Sequence, residues 1–169
     1  MRKVSAHYYL RPDGTFGKRP IISMDDDGRI IHIREMGDDF KEEPSLEYFP
    51  GILVPGFVAT INENNHSEIK KLQALSIANG VLRLKRDQQG LSSEEYIKAW
   101  SSIVISSIEA EDSLVNSLRK YTVIAAQLVN EPEWGVIRDG AKPGLLILKN
   151  CDLRNFTLTA TSTFRIIQK

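Results

Sequence analysis

Residues 49–66, FPGILVPGFVATINENNH, constrain the fold of this chain more than any other stretch. The apolar run Ile52-Leu53-Val54 is bracketed by Pro50-Gly51 and Pro55-Gly56, resumes as Phe57-Val58, and dissolves into Asn62-Glu63-Asn64-Asn65. Proline removes a ladder donor and glycine supplies unusual backbone angles, so two such pairs around a β-rich run mark a strand that leaves one sheet and enters other structure.

The chain changes grammar on either side of this exit. Before it, Val4, Tyr8 and Tyr9 lie in a β-rich run that ends at Arg11-Pro12-Asp13-Gly14, a turn by its proline and glycine. Asp27-Gly28 between Arg19–Met24 and Arg29–Arg34 predicts a hairpin, because a type I′ turn needs positive φ at its centre. The segment from Gly37 to Ser45 is charged and reads as a loop.

After the exit the period lengthens to that of helices. The pattern predicts one helix over His66–Asn79, a second opening at Ser92-Ser93-Glu94-Glu95 as a capping box, and a third over about 111–129. The second carries Tyr96, Ala99, Trp100, Ile103 and Ser107 on one face; the third carries Leu114, Leu118, Tyr121, Ala125 and Leu128. From Glu133 the β pattern returns, with Leu145–Leu148, Phe156–Thr159 and Thr163–Ile167 as further strands.

Composition narrows the function classes. Lys+Arg and Asp+Glu both number 22, so no basic excess draws in nucleic acid or an anionic membrane. No apolar run approaches the ~20 residues that span a bilayer, and Arg11, Asp13 and Lys18 interrupt any leader. One cysteine, Cys151, forms no internal disulfide. The expectation is a soluble cytoplasmic protein with neither nucleic-acid nor membrane partners.

The exit stretch resembles that of the amidohydrolase (metal-dependent hydrolase) superfamily, in which P-G-[FL]-[VI] carries the chain from a small β-domain into a catalytic barrel. The hairpin over Ile21–Ile33 and the segment Trp134–Leu148 are similar to the same family's N- and C-terminal β segments, and Tyr121–Leu128 to the helix before the latter. Val123-Ile124 departs from the small or polar pair usual there. The resemblance covers residues 1–58 and 118–169 and implies a composite β-sandwich. It also implies a His-x-His metal-ligand pair, counted from Pro55 onto positions 61 and 63, where this chain has Ile61 and Glu63. The 73 residues 62–134 are too few for a (β/α)₈ barrel, which needs about 200 residues.

The expected architecture is therefore α+β: a small β-sandwich from 1–58 plus 133–169, and an all-helical insert of about three helices over 62–131. No catalytic, cofactor-binding or metal residue is assigned. His7 and His32 read as solvent-facing strand residues and His66 as surface or cap. Asp25-Asp26-Asp27 lacks the spaced oxygens of a calcium loop and reads as a turn. Cys151 reads as a buried or half-buried thiol, Trp100 as core, and Gly135, Gly140 and Gly144 as turns. The function these readings favour is a non-catalytic binding or assembly module without cofactor, derived from an amidohydrolase. It would work as a homo-oligomer or with a protein partner covering the face left by the barrel; a small-molecule ligand between sheet and helices is a further expectation. The alternative is a metal-dependent hydrolase of non-peptide C–N bonds, completed by another chain or rebuilt across a dimer.

Overall fold

The computed structural model describes residues 1–39, 43–62, 66–86, 90–109 and 113–169; the side chains of 66, 67 and 108 fall outside this description. Among the described residues nine strands and a set of helices follow one another in an α+β order. Strands β1 (Arg2–Leu10), β2 (Phe16–Lys18), β3 (Pro20–Met24), β4 (Ile30–Glu35) and β5 (Leu46–Pro55) come first, and β8 (Leu145–Lys149) and β9 (Thr163–Gln168) come last. All seven join in one mixed sheet, ordered β4-β3-β1-β5-β8-β9, with β2 also on β1. The two ends of the chain meet where β5 pairs antiparallel with β8, Ile52 opposite Leu148 and Pro55 opposite Leu145. One sheet thus stands where two stacked sheets of a sandwich were expected.

Alternation along the strands gives this sheet two apolar faces. Val4 and Ala6 of β1, Ile22 and Met24 of β3, Ile30 of β4, Leu53 of β5, Leu145 and Ile147 of β8, and Ile167 of β9 form one cluster. Residues from both edges share that cluster, so the sheet curls around it. On the other face Ile52, Val54, Leu146 and Leu148 pack toward the helices. The hairpin at Asp27-Gly28 forms, β3 antiparallel to β4 with Ser23 opposite His32, but not through the expected type I′ turn: of the two residues only Gly28 has positive φ, and its amide donates to the Asp25 carbonyl.

The exit stretch forms a long strand and a corner. Gly51, inside β5, has φ +136, and a Cβ there would stand 2.0 Å from the Leu148 carbonyl oxygen, so only glycine fits against β8. At Gly56 a Cβ would come within 2.7 Å of Leu82. Beyond it β6 (Phe57–Ile61) leaves the large sheet altogether.

The insert is not all helix, which corrects the reading of 62–131. After α1 (His66–Ala78) the chain forms β7 (Val81–Arg86), which pairs parallel with β6, Ala59 opposite Leu84. A strand, a crossover helix and a parallel strand make a βαβ unit. The signal was in VLRLKR: Leu82 and Leu84 alternate with Arg83 and Lys85 at the strand period of two.

Helices α2 (Glu94–Ile97) and α3 (Ala99–Ile108) follow, then α4 (Leu114–Arg119), a π-helical stretch (Lys120–Ile124) and α5 (Ala125–Leu128). Ser113 caps α4 by accepting from the Asn116 amide. The expected box at Ser92–Glu95 does not form: Ser93 is the cap residue without a side-chain bond, and the Glu95 carboxylate turns to Lys120 and Tyr121 instead. The π stretch carries an extra residue per turn and so rotates the apolar stripe. Ala126 and Val129 become buried, while Leu128, expected on the stripe, is 50% exposed.

Two C-terminal expectations also change. Residues 133–144 remain irregular until β8, and the expected strand at 156–159 reduces to one bridge, Asp152 with Thr157. Thr159 is drawn into a turn, its amide donating to the Ser162 hydroxyl. No helix among the described residues is long and apolar enough to cross a membrane.

Candidate functional site

Parallel strands place chemistry at their C-terminal ends, where loops converge. For β6 and β7 those ends are Ile61 and Arg86. Every residue of β6 is buried, and Ile61 is only 2% exposed. Both faces of β6 are covered: Phe57 and Ala59 pack with Ala99, Ile103, Leu118 and Tyr121, and Val58 packs with Leu91, Ala125, Ala126 and Val129. The first metal-ligand position implied by the resemblance is thus a hydrocarbon side chain in the core. An isoleucine offers no lone pair, so this position does not fit a metal. Glu63, the second such position, lies outside the described residues, as does the side chain of His66. Among the described residues no group of three or more His, Cys, Asp or Glu is placed to hold a metal.

β7 is built differently. It pairs with β6 and, among the described residues, with no other strand. Leu82 and Leu84 pack on the central core. Arg83 donates through Nε and Nη2 to the Lys142 carbonyl at 2.9 and 2.8 Å, and its burial pulls the guanidinium pKa down. Lys85 donates to the Val129 carbonyl at 3.0 Å and pairs with Glu131 at 3.3 Å. Val129 closes α5, so this ammonium also meets the negative end of a helix.

Above the β6 core, Glu95 accepts from Tyr121 Oη at 2.9 Å and from Lys120. The Lys120 hydrogen bond holds the Glu95 carboxyl below its usual range. Burial, followed by the bond to Glu95, pushes the Tyr121 phenol up to about 12. This triad ties α2 to the π stretch.

The histidines are dispersed. His7 is half-buried rather than solvent-facing, a correction: its Nδ1 accepts from the Gly51 amide at 3.0 Å, and its ring stands edge-on to Tyr48. With Lys149, Asn150, Cys151 and Leu153 it lines a hollow of about 160 Å³. Cys151 is half-buried as expected, and burial raises its thiol pKa, which disfavours the reactive thiolate. His32 is solvent-facing, 3.5 Å from Asp139. Asp25 accepts from the amides of Asp27 and Arg29, the turn chemistry read from the sequence. Trp100 packs edge-on against Phe164 at the margin of the core. Gly140 has positive φ in a turn, and Gly144 has positive φ in irregular chain just before β8.

No protein-family model matches the chain, and none of the curated proteins does. Among solved structures the chain is similar to part of an amidohydrolase from Brucella melitensis, at 14% identity and a TM-score of 0.35 over 65% of this chain and 33% of that one. It is similar to part of N-acetyl-D-glucosamine-6-phosphate deacetylase from Mycobacterium smegmatis, at 14% identity and a TM-score of 0.39 over 83% of this chain and 45% of that one. Guanine deaminase of E. coli matches at 13% identity and a TM-score of 0.30, over 63% and 33%. The chain spans a third to under half the length of these proteins. Similarity to part of an amidohydrolase is also what the sequence motifs imply.

Proposed function

We propose that this chain is a binding or assembly module, the composite β-domain of an amidohydrolase with the start of a barrel, and that it does not hydrolyse by itself. The observation that carries this reading is the end of β6, where the apolar Ile61, 2% exposed, stands at the place a first metal ligand would need an imidazole. A single metal-activated water needs about three protein ligands and an open position, and losing the first removes both affinity and geometry.

The open edge of β7 supports assembly. Parallel sheets are ordinarily covered on both faces and extended on both sides, and a lone parallel pair is a poor resting state. A second polypeptide laying an extended segment along β7 would continue the sheet. Arg83 and Lys85 brace this strand internally, on the Lys142 and Val129 carbonyls and on Glu131, so reversing both charges would disturb the edge that a partner segment would meet.

Native mass spectrometry of the chain isolated from its own cells tests this. The expected species is an assembly with a second polypeptide, another copy included, that the double variant Arg83→Glu/Lys85→Glu releases. A monomer in both forms would remove the assembly claim.

A further inference from the structure

Antiparallel pairing sets six residues in a grid on the outer face of β1, β3 and β4. Lys3 stands opposite Ser23, and Ser23 opposite His32; in the next row Ser5 stands opposite Ile21, and Ile21 opposite Arg34. Neighbouring strands lie about 4.8 Å apart, so the grid is a fixed array of side chains. Lys3, Ile21, Ser23, His32, Arg34 and Glu43 line a hollow of about 210 Å³ on this face. Ser5, beside Lys3 on the same face of β1, is 1% exposed, and its hydroxyl has no hydrogen-bond partner.

One carboxylate already uses this array. Glu43, from the β4–β5 connection, reaches Lys3 Nζ with one oxygen at 3.3 Å and Arg34 Nη2 with the other. Lys3 and Arg34 sit on strands either side of β3, so the carboxylate bridges them diagonally. Asp139 faces the array only at its rim, against His32. With Glu43 in place the hollow still carries one net positive charge, from Lys3 and Arg34 against Glu43. With Glu43 turned away it carries two.

We propose that this face binds a small oxyanion dianion of the phosphate type, with Glu43 as a displaceable internal competitor. Arg34 supplies planar donors, Lys3 a point charge, and Ser23 a hydroxyl donor to the hollow. The two cations balance the two charges of the ligand, which the single charge of Glu43 does not. An ion pair that merely pinned the β4–β5 connection would account for Glu43 on Lys3 and Arg34. It would not account for the residual hollow between those cations.

Calorimetric titration with inorganic phosphate at constant ionic strength and about pH 8, where the probe is a dianion, separates the two. Glu43→Gln removes the competitor, and the expected result is saturable binding about tenfold tighter than in the parent chain. Arg34→Gln in the same background is expected to weaken it by about tenfold or more, the loss of one charge-assisted contact. No saturable heat in Glu43→Gln, or equal affinity with and without Arg34, would overturn the proposal. Both replaced side chains are at least partly exposed, Arg34 at 53% and Glu43 at 22%, and the melting transition of each variant reports that the fold is kept.

Discussion

The large sheet and the β6–β7 pair are both apolar β structure, yet they end differently. The large sheet joins the chain's two ends and curls until its strands enclose one core, with Ile22, Leu53, Leu145 and Ile147 all below 4% exposure. The parallel pair buries β6 completely and then stops at β7, whose residues 82–85 are only partly covered. The large sheet shares one core between its two edge strands, β4 and β9, whereas the parallel pair leaves the far side of β7 with no strand among the described residues. That contrast is why the account places structure in the first region and contact in the second.

The largest expected effect breaks the joint between the chain's ends. Gly51→Ala forces a Cβ against the Leu148 carbonyl and an L-residue into φ +136. Urea denaturation should show a loss of about 3 kcal/mol or more. Next, Ile147→Ala and Phe57→Ala, both fully buried, should each cost roughly 2–5 kcal/mol, and Leu84→Ala on β7 about 1 kcal/mol. If Leu84 costs as much as Phe57, β7 is as closed as β6 and the contrast fails.

How much of this was legible follows from the range of the interactions. The hairpin at Asp27-Gly28 and the exit corner at Pro55-Gly56 are written locally, in residues that force the backbone, and the structure has both. β7 was missed because the short alternation in Val81-Leu82-Arg83-Leu84-Lys85-Arg86 sits between helical patterns, and its partner β6 lies about 25 positions earlier. Leu128 was misplaced because the π stretch shifts the stripe, and nothing in Lys120–Ile124 announces that shift. The grid of Lys3, Ser5, Ser23, His32 and Arg34 depends on register across three strands, which periodicity alone leaves open. Ile61 was visible at once, but that it is buried, and not at the surface, required the folded chain.

The pH response sharpens the same division at smaller scale. Tyr9, on the large sheet, donates to Glu35 at 2.6 Å, and burial together with that bond pushes its phenol up to about 12 from 10.0. A raised folded pKa stabilises the neutral form, so the contribution is full below pH 10.0 and is lost as pH rises toward about 12. Tyr121, above β6, follows the same rule. Tyr9→Phe and Tyr121→Phe should each flatten the alkaline fall in stability measured by denaturant titration. A fall of unchanged steepness in both would contradict these bonds. The smallest effect lies in local opening: amide exchange at Leu82–Lys85 should run faster than at Ile52–Val54 and Leu146–Leu148, reported residue by residue. Equal protection would place β7 in the closed part of the fold.

The measurement that reaches the central claim most directly is the metal content of the purified chain, counted per protomer after any affinity tag is removed. The account predicts zinc, iron, manganese and nickel each far below one per chain. One metal per chain, lost on replacing Glu63 or His66 with alanine, would show a site rebuilt past the end of β6 and would contradict the reading of a binding module.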